Sequence, residues 1–521
     1  MKKILLVVGL LSSLVALTAQ RYLSPVFNTL NVQKDVEYGQ NFIIQTIPTI
    51  GHTSRQSLKC DVYTPQGDTA EKRPLVIFLH GGRFFPKNII GSPIGDKVDS
   101  SAVEICSRLS KMGYVAVSAT YRLGWYITAS YQDDRSYSLI NSIYRGVQDV
   151  NTCIRYFKKN AFLYGIDTSR VVVWGEEAGS YIALSAATLT STSKLIATKY
   201  PQGKFIYQGN PTFPMLDESI NGDIEAKKTT ITPTRILQYL PPNDTICLAN
   251  AVDDTTRFTS NFHLCVNMSG AIPDLSWIDR QTMPIISFHC PPSNPTYISP
   301  YKEGLLDACT IGRVSCGWPL HIFNVQGSFL INQRADSMGT NAVFSKITPQ
   351  YDPYQNILKA RTDGNLIQGL FPFYSDVIFP FQFWSLSDTF SSRELSVNPN
   401  MSAAKARRYI DSFITYFAPR ACLALNLGCK NIVLGLNDVK TETIPLTISP
   451  NPTTDKVLFE STIQEPIQSI ALYNIDGQLV FSQQNINSSQ YTLFKKQLPK
   501  GLFIAKITIK EGVLSRKLVF E

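Results

Sequence analysis

The chain has 521 residues, of which 44% are hydrophobic and 17% charged, and its formal net charge is +9. This composition excludes a largely disordered chain, and the length allows one large domain and a smaller one. The basic residues are scattered rather than clustered, which excludes a nucleic-acid-binding patch and leaves at most a weak attraction to an anionic glycolipid surface.

The first 19 residues, MKKILLVVGLLSSLVALTA, are typical of a secretory signal peptide. Lys2 and Lys3 precede a short apolar run that ends near the small residue Ala19, which is the order of features that such peptides have. We expect cleavage near Ala19, so that Gln20 becomes the new N-terminus. No later stretch has the roughly 20 apolar residues of a membrane-spanning helix, so the mature chain is expected to be soluble or attached to a surface.

Between about residues 20 and 440, short β-rich apolar runs alternate with helical patterns. The predicted strands include LVIFLHGG (75–82), YVAVSATYR (114–122) and SRVVVWG (169–175), and apolar residues at helical spacing cover 101–112 and 143–157. This alternation predicts an α/β fold, with a mostly parallel sheet and helices on both of its faces. Ligands of such sheets bind beyond the carboxyl ends of the strands.

The stretch VVVWGEEAGSYIALSAA (171–187) has the pattern of a nucleophile elbow. An apolar strand leads into the turn GEEAG, in which Gly175 and Gly179 flank Glu177, and an Ala- and Leu-rich helix follows. In such elbows a serine stands at the centre of a sharp turn that exposes its hydroxyl. Here the nucleophile position holds a carboxylate instead.

Two later segments have a less regular pattern. Residues 191–260 are rich in Pro, Asn and Thr, and we interpret them as an insertion over the carboxyl edge of the sheet. After further strand-like runs, FPFYSDVIFPFQFW (371–384) concentrates aromatic residues. These aromatic residues line a groove for a glycan or peptide, or they form a flap that closes the core; the flap is the simpler interpretation.

Residues 444–521 differ in kind from the rest of the chain. Short alternating runs such as VLFE, SIALYNIDGQLVFS, GLFIAKITI and KLVFE are separated by turn residues. This pattern predicts a small C-terminal all-β sandwich. Nothing in it offers catalytic chemistry.

The chain has ten cysteines, and export would place them where disulfides form. Spacing suggests three local pairs: Cys309 with Cys316, Cys422 with Cys429, and Cys247 with Cys265. Buried free thiols remain the alternative for each pair. There is no Cys-Xaa-Xaa-Cys, no paired histidines, no phosphate-binding loop and no dinucleotide motif, so neither a metal nor another cofactor is predicted.

Several of these motifs together resemble the carboxylesterase branch of the α/β-hydrolase fold. They are LHGG, YRLGW, WGEEAGS and VNMSGAIPDLSW, and the likeness covers about residues 55 to 430. The terminal PNP, LYNIDGQ, LPKGLFIAKI and KLVFE resemble the sorting domain of the type IX secretion system of Bacteroidota. This second resemblance implies a Bacteroidota source, recognition by the type IX machinery, and removal of the sandwich with release of the remainder or its attachment to surface lipopolysaccharide.

The first resemblance implies where a Ser-Asp-His triad would stand. The nucleophile position is Glu177, and the acid position falls on Asn294 in FHCPPSNPTYISPY. Ser293 is the other registration for the acid, and Asp274 is a weaker substitute. The histidine position falls on Tyr351 in FSKITPQYDPY. All three triad positions are therefore replaced.

Histidines are scarce in this chain, and the sequence contains none beyond His321. His80 and His289 are expected to hold the oxyanion loop and a strand end. His52 and His263 precede the relevant loops, which leaves His321 as the one that could approach the site. Ester hydrolysis in this family needs a histidine to take the proton of the nucleophile, or to hydrolyse an ester intermediate on a carboxylate.

The oxyanion loop itself is retained. Gly81, Gly82 and Arg83 follow the predicted strand, and Ala178 follows the elbow residue. We hypothesise that the Glu177 carboxylate folds into the amides of Gly82, Arg83 and Ala178, with the Arg83 guanidinium as its counter-ion.

These observations predict a secreted or cell-surface homologue that lacks Ser-His-Asp ester hydrolysis and acts in binding or structure, including as a surface adhesion module. The alternative is an active carboxylic-ester hydrolase on acylated glycan or lipid that uses an atypical site at Glu177. The small number of histidines favours the non-catalytic interpretation.

Overall fold

The structure is a computed structural model, and it describes most of residues 21 to 521. The described ranges are 21–45, 47–190, 194, 205–209, 213–232, 242–250, 258–291, 299–312, 316, 319–348, 351–362, 364–429, 432, 446–461, 466–474, 478–496, 498–509 and 512–521. The predicted signal peptide, Ser293 and Asn294 lie outside the described residues.

The chain divides into two compact units, residues 1–434 and 435–521. The strands of the first unit are β1 (Leu30–Ile43), β2 (Ser54–Pro65), β3 (Arg73–Leu79), β4 (Val115–Ala119), β5 (Ile166–Glu176), β6 (Thr230–Ile231), β7 (Thr245–Cys247), β8 (Leu264–Met268), β9 (Ala271–Ile272), β10 (Ile285–His289), β11 (Glu303–Asp307), β12 (His321–Gly327) and β13 (Leu370–Pro372).

The helices of this unit are α1 (Ile47–Ile50), α2 (Lys87–Ile90), α3 (Ser100–Lys111), α4 (Gln132–Lys159), α5 (Ala161–Tyr164), α6 (Ala178–Thr188), α7 (Glu218–Asn221), α8 (Ala308–Gly312), α9 (Ser328–Ser337), α10 (Gln355–Arg361), α11 (Ser391–Leu395) and α12 (Ala403–Ala424). Short 3₁₀ turns cover Tyr207–Gly209, Leu275–Trp277 and Ala342–Lys346. No helix among the described residues is long and apolar enough to cross a bilayer.

The main sheet of the described residues has eight strands in the order β1-β2-β4-β3-β5-β8-β10-β13. The pairs β1/β2 and β2/β4 are antiparallel, and the strands from β4 to β13 are parallel. The carboxyl ends of the parallel strands therefore lie along one edge, where ligands of such sheets bind. This confirms the predicted mostly parallel α/β sheet.

Strand β3 illustrates how the sheet is covered on both faces. All of its residues are buried, and successive side chains point to opposite faces. Leu75, Ile77 and Leu79 pack in one apolar cluster with α4 and α6. Val76 and Phe78 pack in the other with α3 and α12. The continuous apolar run in the sequence thus reflects burial on both sides.

The described parts of the predicted insertion, 213–232 and 242–250, lie against α4 and β1. The Gln148 side-chain amide on α4 donates to the carbonyls of Asn221 and Asp223, both at 2.9 Å. The Asn250 side-chain amide donates to the carbonyl of Gln40 on β1. These contacts place 213–232 and 242–250 beside α4 and β1, and the position of the whole insertion over the carboxyl edge stays a prediction.

The second unit is all-β. Its strands are β14 (Leu446–Ser449), β15 (Lys456–Ser461), β16 (Ile467–Tyr473), β17 (Leu479–Gln483), β18 (Gln490–Phe494), β19 (Gly501–Ile509) and β20 (Gly512–Phe520). Within the described residues they form the antiparallel sheets β14-β15-β18 and β17-β16-β19-β20. Side chains of both sheets, among them Val457, Phe459, Ile470 and Phe503, form one apolar core. The predicted all-β class is confirmed.

Two of the three predicted disulfides are present, Cys309–Cys316 and Cys422–Cys429. The third prediction is wrong, because Cys247 and Cys265 are both free and buried. Strand β7, which carries Cys247, packs beside β1, whereas Cys265 lies on β8, with β2, β4, β3 and β5 between them in the sheet.

The turn between β5 and α6 depends on its two glycines. A Cβ atom added to Gly179 would lie 2.2 Å from the carbonyl oxygen of Leu79 on β3. A Cβ atom added to Gly175 would lie 2.2 Å from the carbonyl oxygen of Gly179. Any side chain at either position would therefore push the helix away from the sheet.

We expect Gly179→Ala to lower the free energy of unfolding by about 3 kcal/mol, since the new methyl group meets rigid backbone. Urea denaturation of the full chain measures this change. Gly339→Ala is the control: its φ is +80° and no atom lies within 4 Å of the added Cβ, so only the conformational cost of about 1 kcal/mol is expected. Equal losses in the two variants would contradict the close-packing argument.

Candidate functional site

Glu177 occupies the turn between β5 and α6. Its backbone angles, φ 48° and ψ −109°, belong to a region that residues other than glycine rarely adopt. The Glu177 amide donates to the carbonyl of Met268 at 2.9 Å, and its carbonyl accepts from the amides of Ser180 and Tyr181. These bonds keep the strained geometry of a nucleophile elbow although the serine is absent.

The Glu177 carboxylate is buried against the oxyanion loop. The Gly82 amide donates to Glu177 Oε2 at 2.8 Å, and Arg83 Nε lies 3.5 Å from Oε1. Oε1 accepts no hydrogen bond within the described residues. Of the hypothesised contacts, the Gly82 amide and the Arg83 guanidinium are therefore present. Among the described hydrogen bonds, none runs to this carboxylate from the amides of Arg83 or Ala178.

The oxyanion loop is held in place from several sides. Gly82 has φ +100°, and a Cβ atom there would lie 2.5 Å from Gly95 Cα, so glycine is required. His80 stacks on Tyr121 with ring centroids 4.6 Å apart, and the Tyr121 hydroxyl donates to the His80 carbonyl. Arg83 Nη1 donates to the carbonyl of Ile311 at 3.1 Å. The loop therefore holds the Gly82 amide and the Arg83 guanidinium in fixed positions that face the Glu177 carboxylate.

A second carboxyl group, that of Glu176, also lies beside the oxyanion loop. It is fully buried and accepts hydrogen bonds from Ser101 Oγ at 2.9 Å and from Gln382 Nε2 at 2.6 Å. Burial raises the pKa of Glu176 to about 8; the hydrogen bonds from Gln382 and Ser101 lower it, and the nearby carboxylates of Asp99 and Glu177 raise it by smaller amounts. Glu176 is therefore largely uncharged at neutral pH. Sequence reasoning missed this group, although two adjacent glutamates in a glycine-flanked turn were its signal.

The histidines of the chain have other partners. His289 is buried, with Nδ1 2.7 Å from Ser328 Oγ and Nε2 3.1 Å from the carbonyl of Ser299, and burial lowers its pKa to about 4. His80 Nδ1 lies 2.7 Å from the carbonyl of Gly81. These two are structural, as expected.

The remaining three histidines lie at, or just before, the starts of strands. His263 Nδ1 accepts a hydrogen bond from the Val171 amide near the start of the buried part of β5, and the exposed His321 begins β12. His52 Nδ1 lies 2.8 Å from the Thr53 carbonyl. The imidazoles of His80, His263 and His289 thus bond to groups other than Glu177.

The other predicted triad positions are not brought together with Glu177 in the described part of the chain. Asp274 caps the 3₁₀ turn Leu275–Trp277, because its carboxylate accepts from the Ser276 amide at 2.7 Å. Tyr351 lies in an open groove with Arg108, Asp411 and other residues of α3 and α12. That groove does not include Glu177. The assignment of the histidine position to Tyr351 stays a prediction, since the loops after β10 carry no periodicity that fixes their alignment.

The aromatic segment 371–384 follows the last strand of the sheet. Phe371, Phe373 and Phe381 pack around Phe413 of α12, with ring centroids 6.2, 5.1 and 5.6 Å away. This packing matches the interpretation of the segment as a flap that closes the core. The same segment also forms part of a cavity.

That cavity has a volume of about 380 Å³ and lies beside the elbow. It is lined by Arg83 and, from the segment after β13, by Val377, Phe379, Gln382 and Trp384. Two polar atoms in its wall, Trp384 Nε1 and Asn398 Oδ1, are buried without a hydrogen bond in the described part of the protein. Its size is that of small-ligand sites. The described residues contain no group of three or more His, Cys, Asp or Glu that could hold a metal ion.

Comparisons with known families match both units. The family BD-FAE matches residues 60–289, and the secretion system C-terminal sorting domain matches residues 447–521. The chain thus carries an esterase-like α/β-hydrolase domain followed by a type IX secretion sorting domain. The sorting domain implies interaction with the type IX machinery and secretion or surface attachment.

The sequence identity to individual known proteins is low. The chain is 29% identical over 150 residues to carboxylesterase 3B of Mus musculus, covering 28% of this chain and 23% of that protein. It is 25% identical over 127 residues to juvenile hormone esterase of Tribolium castaneum, covering 24% and 19%. The match thus spans only about a fifth of the length of these curated relatives. Esterase 2 of Thermogutta terrifontis, phosphorylated by paraoxon, matches 66% of this chain and 87% of its own at 15% identity with a TM-score of 0.30.

We expect Glu177→Gln to lower the free energy of unfolding by about 2 kcal/mol at neutral pH. The amide keeps an acceptor for the Gly82 N–H, but it leaves the buried Arg83 guanidinium without its counter-charge. Urea denaturation measures the change, and Glu303→Gln, on an exposed strand end, is the control. A Glu177→Gln variant as stable as the wild type would mean that the Arg83 contact contributes nothing.

Proposed function

We propose that this chain is a secreted or surface-attached α/β-hydrolase homologue that binds a small ligand and does not hydrolyse esters through a Ser-His-Asp triad. The observation that carries the proposal is the bond between the Glu177 carboxylate and the Gly82 amide. In an esterase, that amide would be free to stabilise the oxyanion of the tetrahedral intermediate. Here the side chain of the elbow residue itself occupies the place.

The missing base supports the same conclusion. A carboxylate nucleophile forms an ester intermediate that a histidine-activated water must then hydrolyse. The histidines bond to Ser328, Gly81, Val171 and Thr53 or begin β12. A serine restored at position 177 would also lack a partner to take its proton.

The cavity beside the elbow supports a binding role. Its walls combine apolar side chains, such as Val377 and Phe379, with the charged Arg83. The unpaired Trp384 Nε1 and Asn398 Oδ1 offer one donor and one acceptor. Buried polar atoms without partners are costly unless a ligand or water satisfies them. A small molecule with both a polar end and an apolar body fits these features.

The location follows from the second unit. A signal peptide at residues 1–19 would start export, and the sorting domain would direct the chain through the type IX machinery of a Bacteroidota cell. The hydrolase-like unit would then act outside the cell, released or attached to surface lipopolysaccharide. Two disulfides, Cys309–Cys316 and Cys422–Cys429, suit such an oxidising environment.

We expect the purified chain to leave short p-nitrophenyl acyl esters unhydrolysed above the uncatalysed rate. Glu177→Ala and Glu177→Ser should be equally inactive, because removal of the carboxylate frees the oxyanion loop without supplying a base. Absorbance of released p-nitrophenol measures the rate, and a thermal melt of each variant shows that it is folded.

The variants also distinguish the alternative. Turnover by the wild type that disappears in Glu177→Ala would identify Glu177 as a working nucleophile and would overturn the non-catalytic proposal. A gain of turnover in Glu177→Ser alone would show that a base stands near the elbow after all.

A further inference from the structure

Gln382 connects the cavity to the buried Glu176. Its side chain lines the cavity, and its Nε2 atom donates to Glu176 Oε1 at 2.6 Å. On the other side, Glu176 Oε2 accepts from Ser101 Oγ. Glu176 is therefore enclosed between the first turn of α3 and the segment that follows β13.

The charged neighbours of Glu176 already have partners. Glu177 lies 3.5 Å from Arg83, and Asp99 pairs with Lys87 at 2.6 Å. The buried Tyr121 also lies nearby, and burial lowers the pKa of His80, which stacks on Tyr121. Glu176 accepts hydrogen bonds from the neutral side chains of Ser101 and Gln382. An ionised Glu176 would thus lie among other carboxylates without a cation bonded to it in the described residues.

The two segments that enclose Glu176 differ in secondary structure. Ser101 belongs to α3, a 12-residue helix that packs against β2, β3 and β4. Gln382 belongs to residues 373–390, which contain neither helix nor strand. Parts of that segment are exposed, including Tyr374 and Asp376. Water therefore reaches Glu176 more readily by displacement of the Gln382 segment than by displacement of α3.

We propose that Asp376–Trp384 is a pH-dependent cover of the cavity, which stays closed while Glu176 is uncharged and opens when Glu176 ionises. This proposal rests on the proposed binding function, because it concerns access to the same cavity. Any open state that hydrates Glu176 binds its proton more weakly than the closed state does. Raising the pH therefore shifts the equilibrium toward the open state.

The direction and range follow from linkage. Burial raises the pKa of Glu176 to about 8 in the closed state, and a hydrated glutamate has a pKa of about 4.3. Between these values the ratio of open to closed molecules rises about tenfold per pH unit, and above the higher value it levels off. Closure is therefore most complete at acidic pH and is lost as the pH rises toward 8.

Hydrogen exchange of the full chain, followed by mass spectrometry, tests the proposal without any ligand or ester. After correction for intrinsic rates, protection of peptides spanning 376–384 should fall about tenfold per pH unit between about pH 6 and 8. In Glu176→Gln the neutral amide can still bond Ser101 and Gln382, so protection should remain high and independent of pH. Glu303→Gln should behave like the wild type.

Protection with the same pH dependence in the wild type and in Glu176→Gln would overturn the proposal. So would a wild type whose 376–384 peptides remain equally protected at both ends of the range. Gln382→Ala removes the contact directly, and its peptides should exchange at least tenfold faster than wild type at about pH 6. These outcomes are independent of whether the chain hydrolyses esters.

Discussion

The contact of the Glu177 carboxylate with the Gly82 amide and the Arg83 guanidinium joins the parts of the site. It links the elbow after β5 to the oxyanion loop after β3, and Arg83 in turn bonds Ile311 of α8. A buried carboxylate is costly unless donors and a counter-charge face it. The strained backbone at Glu177 and the positive φ angles of Gly82 and Arg83 are the conformations that bring those groups to one point.

This arrangement reverses the use of an oxyanion hole. In catalysis the donors accelerate a reaction only if they bind the transition state more strongly than the ground state. When the elbow residue carries its own carboxylate, the Gly82 amide is satisfied before any substrate arrives. In the proposed non-catalytic function, the electrostatic stabilisation that would lower a barrier instead stabilises the folded protein. Under that proposal, the fold of an esterase and the function of an esterase separate at this residue.

The sequence predicts those parts of the fold that depend on periodicity and on local sterics. The apolar runs predict the central strands, and the motif GEEAG predicts the turn in which Gly175 and Gly179 allow the close approach of α6. Spacing also predicted the two disulfides with seven-residue separations, but not that Cys247 and Cys265 lie in different sheets, because strand pairing is a long-range property.

For the same reason, the sequence predicts the site only near the elbow. The hydrogen bond between Gln382 and Glu176 joins residues 206 positions apart, and no local sequence pattern predicts it. The assignment of Tyr351 stays a prediction, because the segments after β10 are irregular and no periodicity or turn motif fixes their alignment.

Glu176 and Glu177 are adjacent and both buried, yet their side chains have different surroundings. The Glu177 side chain turns toward the Gly82 amide and the Arg83 guanidinium. Glu176 turns to the other side of the turn, toward a hydroxyl and a carboxamide, where burial raises its pKa to about 8. Two ionised carboxylates at this distance would repel each other in a medium of low dielectric constant. The raised pKa of Glu176 therefore reduces this repulsion where the Glu177 side chain meets the oxyanion loop.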